Sequence, residues 1–291
     1  MRSCRGALWW WWLALLLAAC GSEPTPSKPG VVSTVPTGVV SMDGPVAADS
    51  ALLSLTQLPQ AFADFAAAGV DVQVAADGPT DALVLLVIDL AAFRPVIVGT
   101  DGDQRVGVTA REALADFELD VVVGSSFVSE LNSTVPVGLL QIEGQVVSPL
   151  QRHGYTRVLG VRDAQLGVVG FREYHRGMFD SAMQVGPGVV ERGLLDISER
   201  DLQRPKYFRT FVATCGPAAV VGASQIPMNL YTLGKRFLEH AERAGWQCDE
   251  VANLAGDREV VLAMVSPDRE RLVYLGHPGT SKAGLIGFQR R

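Results

Sequence analysis

Residues 209–257 read RTFVATCGPAAVVGASQIPMNLYTLGKRFLEHAERAGWQCDEVANLAGD and carry the clearest structural pattern in the chain. Two short apolar runs, 209–215 and 218–222, are typical of strands. A longer run with its apolar residues on one side, 230–244, is typical of an amphipathic helix. A further apolar run, 250–254, predicts another strand. This stretch therefore predicts three strands and one helix in close succession.

The predicted helix 230–244 has recognisable ends. It follows Asn229, a residue type that caps helix N-termini, and it stops at Gly245, a residue type that commonly follows the last helical turn. Its apolar residues recur at helical spacing, which indicates a face packed on the core. These residues are Leu230, Leu233, Phe237, Leu238 and Ala241.

Outside this stretch, the chain shows short apolar runs broken by glycine and polar turns. We predict helices at 59–68 and 110–117, the second of which begins after Thr109 with Glu112 completing a Thr-x-x-Glu capping box. Many strands with few helices predict an α+β fold, as a single domain over residues 49–291 with mostly antiparallel strands. The other predicted strands are 82–90, 119–124, 137–142, 145–148, 156–161, 166–171, 259–265 and 271–275.

The composition excludes several classes of protein. Of 291 residues, 48% are hydrophobic and 19% are charged, which excludes a disordered chain and a long coiled coil. Lys+Arg number 25 against 31 Asp+Glu, so we expect no nucleic-acid partner. The chain has four histidines, His153, His175, His240 and His277. They show no metal-ligand spacing, so we expect neither a metal nor another cofactor.

The N-terminus resembles the signal of a bacterial lipoprotein. Arg2 and Arg5 precede an uncharged apolar run over residues 7–19, which is shorter than the ~20 residues that span a bilayer. Residues 1–19 are therefore predicted to be a signal peptide. The run ends in Leu-Ala-Ala-Cys, which predicts that Cys20 carries lipid and becomes the mature N-terminus. The alternative is an ordinary signal peptide with a chance cysteine.

Residues 20–48 predict a tether between the lipid and the folded domain. They hold 5 of the 16 prolines and almost no periodic apolar signal. A diacylated Cys20 would supply enough acyl chains for stable attachment, so we expect the membrane as a partner through that lipid. We expect a location in the cell envelope, at the outer membrane in a Gram-negative cell and otherwise on the outer face of the plasma membrane.

Two cysteines remain in the domain, Cys215 and Cys248. One ends a predicted strand and the other leads into one, and an envelope compartment is oxidising. We predict that they form a disulfide, with two buried thiols as the alternative.

Several segments resemble, in order, the motifs of the phosphodiester glycosidase family. The resemblance covers roughly residues 80–265. No single motif is specific, but the occurrence of all of them in the same order is. The matching segments are Gly124-Ser125-Ser126-Phe127, Pro136-Val137-Gly138-Leu139-Leu140, Gln184-Val185-Gly186-Pro187, Arg209-Thr210, the helix from Leu230, Gly245-Trp246-Gln247-Cys248 and Asn253-Leu254-Ala255-Gly256-Asp257.

The resemblance implies hydrolysis of the bond between a sugar's anomeric carbon and a phosphate oxygen. Such a reaction needs a carboxylate beside the developing oxocarbenium ion and a cation to hold the phosphate. Arg209 is the candidate phosphate clamp, since a guanidinium meets two phosphate oxygens at once, and Thr210 is a candidate hydroxyl donor. Asn253 and Gly256 would line the same pocket. A glycan or sugar phosphate is therefore the expected ligand.

The chain departs from the family pattern at the acid. Ala255 stands where the family carries Asp, which leaves Asp257 and Glu259 as the candidate catalytic carboxylates. An acid two residues along a strand lies about 6–7 Å away, so we expect weak or absent catalysis. Three interpretations stay open: an active hydrolase, a degenerate member that binds a glycan or phosphosugar, and a structural envelope lipoprotein.

We predict that Cys20→Ser releases the protein from the membrane fraction. The apolar run of residues 7–19 is too short to anchor the chain permanently, so attachment should depend on the lipid. Fractionation and a labelled-palmitate assay measure the outcome, and Cys4→Ser is the matched control that should change neither. A Cys20→Ser protein that stays wholly in the membrane fraction contradicts the lipobox interpretation.

Overall fold

The computed structural model describes residues 35–43, 51–54, 56–76, 82–100, 107–130, 133–152 and 154–291. The chain from Val35 to Arg291 forms one compact unit. The predictions for Cys20, the signal peptide and the tether up to residue 34 lie outside the described residues, as does His153. Within the described residues, no helix has the length and apolar character needed to cross a membrane.

The described residues form nineteen strands and three α-helices. The helices are α1 (Leu58–Phe65), α2 (Ala110–Asp116) and α3 (Leu230–Ala244). The strands are β1 (Thr37–Ser41), β2 (Ala51–Leu52), β3 (Val70–Ala76), β4 (Ala82–Asp89), β5 (Phe93–Gly99), β6 (Val121–Val123), β7 (Leu140–Ile142), β8 (Gln145–Ser148), β9 (Arg157–Arg162), β10 (Gln165–Gly170), β11 (Ser181–Val185), β12 (Gly188–Glu191), β13 (Leu194–Leu195), β14 (Thr210–Cys215), β15 (Ala218–Ser224), β16 (Glu250–Asn253), β17 (Val261–Val265), β18 (Arg271–Gly276) and β19 (Gly284–Arg290).

The strands form three sheets, and the strand pairs within them are antiparallel. Sheet 1 has the order β2-β1-β18-β17-β6-β19-β5, sheet 2 has the order β10-β9-β11-β7-β8, and sheet 3 has the order β13-β12-β16-β14-β15-β4-β3. Short antiparallel strands with few helices are therefore confirmed. The balance is more strongly β than the predicted α+β class implies.

The main core lies where the inner faces of all three sheets meet. β4 shows the principle, because successive side chains of a strand point to opposite faces. Val84, Leu86 and Ile88 face the main core, whereas Leu83 and Leu85 join a second cluster under α3. Burial on both faces explains why this strand is an unbroken apolar run in the sequence.

Helices α2 and α3 cover the outer faces of sheets 1 and 3, whereas α1 packs into the main core through Leu58, Phe62 and Phe65. In α3, Phe237 packs edge-to-face on Phe211 of sheet 3, with ring centroids 5.5 Å apart. The side chain of Asn229 accepts a hydrogen bond from the Thr232 amide, and Gly245 is left-handed with φ 73°, so both predicted ends of α3 are correct. The capping box of Thr109 and Glu112 is also present at the start of α2, whose apolar face covers sheet 1.

Strand β1 corrects the predicted boundary of the tether. Its residues lie within the segment 20–48, yet they pair with β18 from Thr37–Leu275 to Ser41–Arg271. The exposed edge of β18 offers unpaired backbone groups, and Val40 becomes buried when the chain occupies that edge. The folded unit therefore begins before residue 49.

Cys215 and Cys248 are joined by a disulfide. It links the last residue of β14 to the segment that leads from α3 into β16, and it closes a loop with a sequence separation of 33. The loop contains β15 and the whole of α3.

We predict that the double variant Cys215→Ala/Cys248→Ala lowers the free energy of unfolding by about 3–4 kcal/mol, because a cross-link of this loop length restricts the unfolded chain. Urea unfolding of the variant and the wild type measures the difference. Mass mapping without reductant should find the two cysteines linked in protein taken from its own compartment. Two free thiols there, or an unchanged unfolding midpoint, would contradict the prediction.

Candidate functional site

One end of the three sheets gathers several of the segments named by the family resemblance, whereas Gly245-Trp246-Gln247-Cys248 lies near the opposite end of β14. The Ala255 amide, after β16, donates to the Ser125 carbonyl after β6 at 3.1 Å. The Gly186 amide, after β11, donates to the Asn253 carbonyl at 2.8 Å, and the Gly188 amide donates to Thr156 Oγ1 at 2.9 Å. We call this end, built from residues 124–127, 155–157, 184–188, 207–210 and 253–259, the site end.

Arg209 lies at the site end, just before β14, and is only partly exposed. Its Nε donates to the Met228 carbonyl at 3.2 Å, and its guanidinium carbon lies 5.1 Å from the ring centre of Tyr207. Burial lowers the pKa of Arg209, while the charge of Asp201 and the groups of Tyr207 and Asp257 act in the opposite direction. Within the described residues, Arg209 forms no ion pair, so its terminal nitrogens keep donors for a ligand.

Gly256 lies beside the guanidinium of Arg209. A methyl group at Gly256 would lie 2.6 Å from the Phe208 carbonyl oxygen and 3.8 Å from Nη1 of Arg209. The glycine is thus required for the backbone of residues 255–257 to approach this close.

Thr210 and Asn253 were expected to contact a ligand beside Arg209, but the structure buries both side chains. Thr210 is fully buried, and its hydroxyl donates a hydrogen bond to the Ala255 carbonyl at 2.8 Å, so the hydroxyl stabilises the backbone rather than facing a ligand. Its neighbour Phe211 faces α3, and alternation along β14 places Thr210 on the opposite face. Asn253 is also buried, with Nδ2 donating to the Gly186 carbonyl at 3.2 Å. Thr210 and Asn253 therefore hold the site end together.

The two candidate carboxylates point to different surroundings. Residues Asp257–Glu259 form a single 3-10 turn, so the strand geometry assumed for them is wrong. Asp257 is exposed, has a left-handed φ of 56°, and lies close enough for its charge to act on Arg209. Glu259 is buried, and its Oε2 accepts a hydrogen bond from Lys282 Nζ at 2.7 Å. Asp257 is thus exposed near Arg209, whereas Glu259 forms a buried ion pair with Lys282.

Lys282 is a member of the site end that sequence reasoning missed. Its side chain is 0% exposed, and burial lowers its pKa while the contacts with Glu259 raise it. The second oxygen of Glu259 and the hydroxyls of Ser125 and Ser126 are also buried and have no partner among the described residues. A lone lysine in a polar turn gives no sequence signal, because 23 residues separate it from Glu259.

His277 and Tyr207 complete the surroundings of these groups. Burial lowers the pKa of His277, as do the charges of Lys282 and Arg258, so it is neutral near pH 7. Tyr207 is exposed, with 42% of its surface in contact with solvent, and supports the guanidinium of Arg209 from one side. The described residues contain no group of three His, Cys, Asp or Glu side chains suited to a metal ion.

Comparison with known structures shows where else this fold occurs. The chain is similar to the catalytic domain of zebrafish N-acetylglucosamine-1-phosphodiester alpha-N-acetylglucosaminidase, auto-inhibited by its pro-peptide. The TM-score is 0.53 at 11% identity, over 76% of this chain and 82% of that chain. A hypothetical protein from Synechocystis matches with a TM-score of 0.51 at 11% identity, over 76% of this chain and 62% of that chain.

These similarities establish a distant relationship of fold. No family model matches the chain, and no curated protein matches its sequence. The family resemblance drawn from ordered motifs is therefore supported at the level of the fold.

We predict that Glu259→Gln lowers the free energy of unfolding by about 3–5 kcal/mol, because it leaves the ammonium of Lys282 buried without its counter-charge. The double variant Glu259→Leu/Lys282→Met removes both charges and should recover most of that loss. Glu239→Gln, which breaks the exposed pair with Lys235, is the matched control and should have little effect. Equal losses in the single and double variants would show that packing, not charge, determines the effect.

Proposed function

We propose that this protein is a lipid-anchored envelope protein whose domain binds a sugar phosphate ester at the site end and hydrolyses it slowly or not at all. The proposal rests on Arg209. A partly buried guanidinium without an ion-pair partner among the described residues is poorly solvated, and it gains most from an anion that accepts two hydrogen bonds.

The surroundings of Arg209 favour a phosphate on a sugar over a free inorganic anion. The Tyr207 ring lies beside the guanidinium and keeps an exposed surface against which a pyranose ring could pack. Gly256 has no side chain beside Nη1 of Arg209, and a methyl group there would lie 2.6 Å from the Phe208 carbonyl oxygen. The zebrafish enzyme of the same fold acts on a sugar-1-phosphodiester, which agrees with this class of ligand.

The weak catalysis that we propose follows from the carboxylates. Ala255 is buried and carries no charge at the position of the family acid. Glu259 is engaged by Lys282, so it is unavailable without breaking a buried ion pair. Preorganised charge at the reacting centre supplies the largest part of most rate accelerations, and a misplacement of ~1 Å already costs about 100-fold.

Asp257 supports a second candidate function, that of an active phosphodiester glycosidase. It is the one candidate carboxylate at the site end that is exposed and near Arg209. In that case Asp257 would take the catalytic role of the family carboxylate that Ala255 cannot fill. A purely structural role for the domain is the remaining alternative, and it requires that Arg209 bind nothing.

The proposed anchoring follows from the sequence around Cys20. A tethered domain with net negative charge would be held at the membrane by its lipid rather than by attraction to anionic headgroups. Its ligand would then belong to a glycan of the envelope or its surroundings.

We predict that N-acetylglucosamine-1-phosphate binds the full-length protein and that Arg209→Gln weakens the binding at least tenfold, as expected for the loss of a charge-assisted hydrogen-bond pair. Isothermal titration calorimetry measures both. Arg271→Gln is the matched control, because Arg271 also stacks on an aromatic ring, that of Phe65, away from the site end. Unchanged binding in Arg209→Gln would leave only the structural interpretation.

The same preparations distinguish binding from catalysis. An N-acetylglucosamine-1-phosphodiester with a chromogenic leaving group should be turned over very slowly, and Asp257→Asn should leave that rate unchanged. Robust turnover that Asp257→Asn abolishes would establish the active hydrolase instead.

A further inference from the structure

A pair of adjoining cavities lies at the opposite end of sheet 3 from Arg209. The larger is open to solvent, has a volume of about 540 Å³, and is lined by Gly193 and by residues from the C-terminal half of α3 through Asp249. The smaller, also open to solvent, has a volume of about 350 Å³ beside the disulfide, where Val87 and Pro217 form part of its wall. Both volumes fall within the usual range of small-molecule sites.

Trp246 is the wall that the two cavities share, together with Gln247. Its ring is held from behind by Phe237, at 6.5 Å between centroids, and by His240, at 5.3 Å. Its amide donates to the Ala241 carbonyl at 2.8 Å, which fixes the backbone. A partly exposed indole in one fixed orientation offers a ligand an apolar and electron-rich surface at little entropic cost.

The charges around the larger cavity determine the class of ligand. Glu242 and Asp249 line it, and neither has an ion-pair partner among the described residues. Among the residues that the structure describes, no lysine or arginine lines it. The cavity also adjoins the C-terminal end of α3, where the helix dipole favours a positive charge. An anion such as the sugar phosphate would be repelled here.

The smaller cavity is different in character. Apart from Gln247, its lining consists of apolar side chains, glycines and the disulfide. A ligand that spans both cavities would therefore place a cation in the larger one and an apolar portion in the smaller one, with Trp246 in contact with both.

From these features we propose a second binding site, the Trp246 site, for a small organic ammonium compound: a primary or quaternary amine on an apolar carbon skeleton. The ammonium contacts the face of Trp246 through a cation–π interaction and is balanced by Glu242 and Asp249. The site is independent of the function proposed for Arg209, because the two lie at opposite ends of β14.

Tryptophan fluorescence tests the proposal directly. Four of the five tryptophans stand at positions 9–12, within the predicted signal peptide, and Trp246 is the fifth, so Trp246→Phe identifies the emission of Trp246 whether or not those four residues are retained. Choline and tetramethylammonium should quench or shift the Trp246 emission. Dimethylbutanol, the uncharged carbon isostere of choline, should bind at least roughly tenfold more weakly.

Charge variants make the test independent of any damage to the Trp246 packing. The double variant Glu242→Gln/Asp249→Asn should weaken choline binding about tenfold or more, whereas Glu239→Gln, an acid on α3 outside the cavity lining, should not. Absence of any response to both ammonium probes would overturn the proposal. So would equal affinity for choline and dimethylbutanol, which would indicate a purely apolar cavity. N-acetylglucosamine-1-phosphate binding should be unaffected in every one of these variants.

Discussion

A single buried arginine ties sheet 2 to sheet 3, and the geometry of the site end depends on it. Arg157, the first residue of β9, is 6% exposed and meets three carboxylates. Its Nη2 lies 2.8 Å from Glu191 and 2.9 Å from Asp196, and its Nε lies 3.2 Å from Glu250. Burial would lower the pKa of Arg157, but the three carboxylates together raise it, so the guanidinium stays charged. Removing it would leave three carboxylates to repel one another.

Close contacts and hydrogen bonds link Arg157 to the backbone around Gly256 and Arg209. Gly188 gives the guanidinium room, since a methyl group there would lie 2.6 Å from its central carbon. The adjacent Thr156 accepts the Gly188 amide, and Gly186 is bonded to Asn253 through both backbone and side chain. Two residues further on, the Ala255 amide donates a hydrogen bond to the carbonyl of Ser125, which follows β6 of sheet 1. A chain of short contacts thus joins all three sheets at the level of Gly256 and Arg209.

Local sequence patterns predicted much of the fold. They failed where a residue is explained by a contact with a part of the chain that is distant in sequence. β4 and β14 were predictable because burial on both faces leaves a continuous apolar run, and α3 because its caps lie next to it in sequence. β19 was missed because Gly284 and Gly287 interrupt its run. A methyl at Gly287 would lie 2.4 Å from Leu119, a contact that nothing local reveals. At the site end, ordered motifs predicted that Arg209 and Gly256 meet, but the pairing of Glu259 with Lys282 depends on two distant turns.

Opposite electrostatic surroundings at the two ends of β14 would keep the two proposed binding functions apart. Arg209 precedes the strand and Cys215 ends it, a separation of about 20 Å at ~3.3 Å per residue. That distance exceeds the Debye length of about 8 Å at physiological salt, so exposed charges at either end scarcely influence one another. The arginine can therefore attract an anion at one end while Glu242 and Asp249 repel it at the other. An uncharged Ala255 alters neither surrounding, so under the proposed function weak catalysis would not entail weak binding.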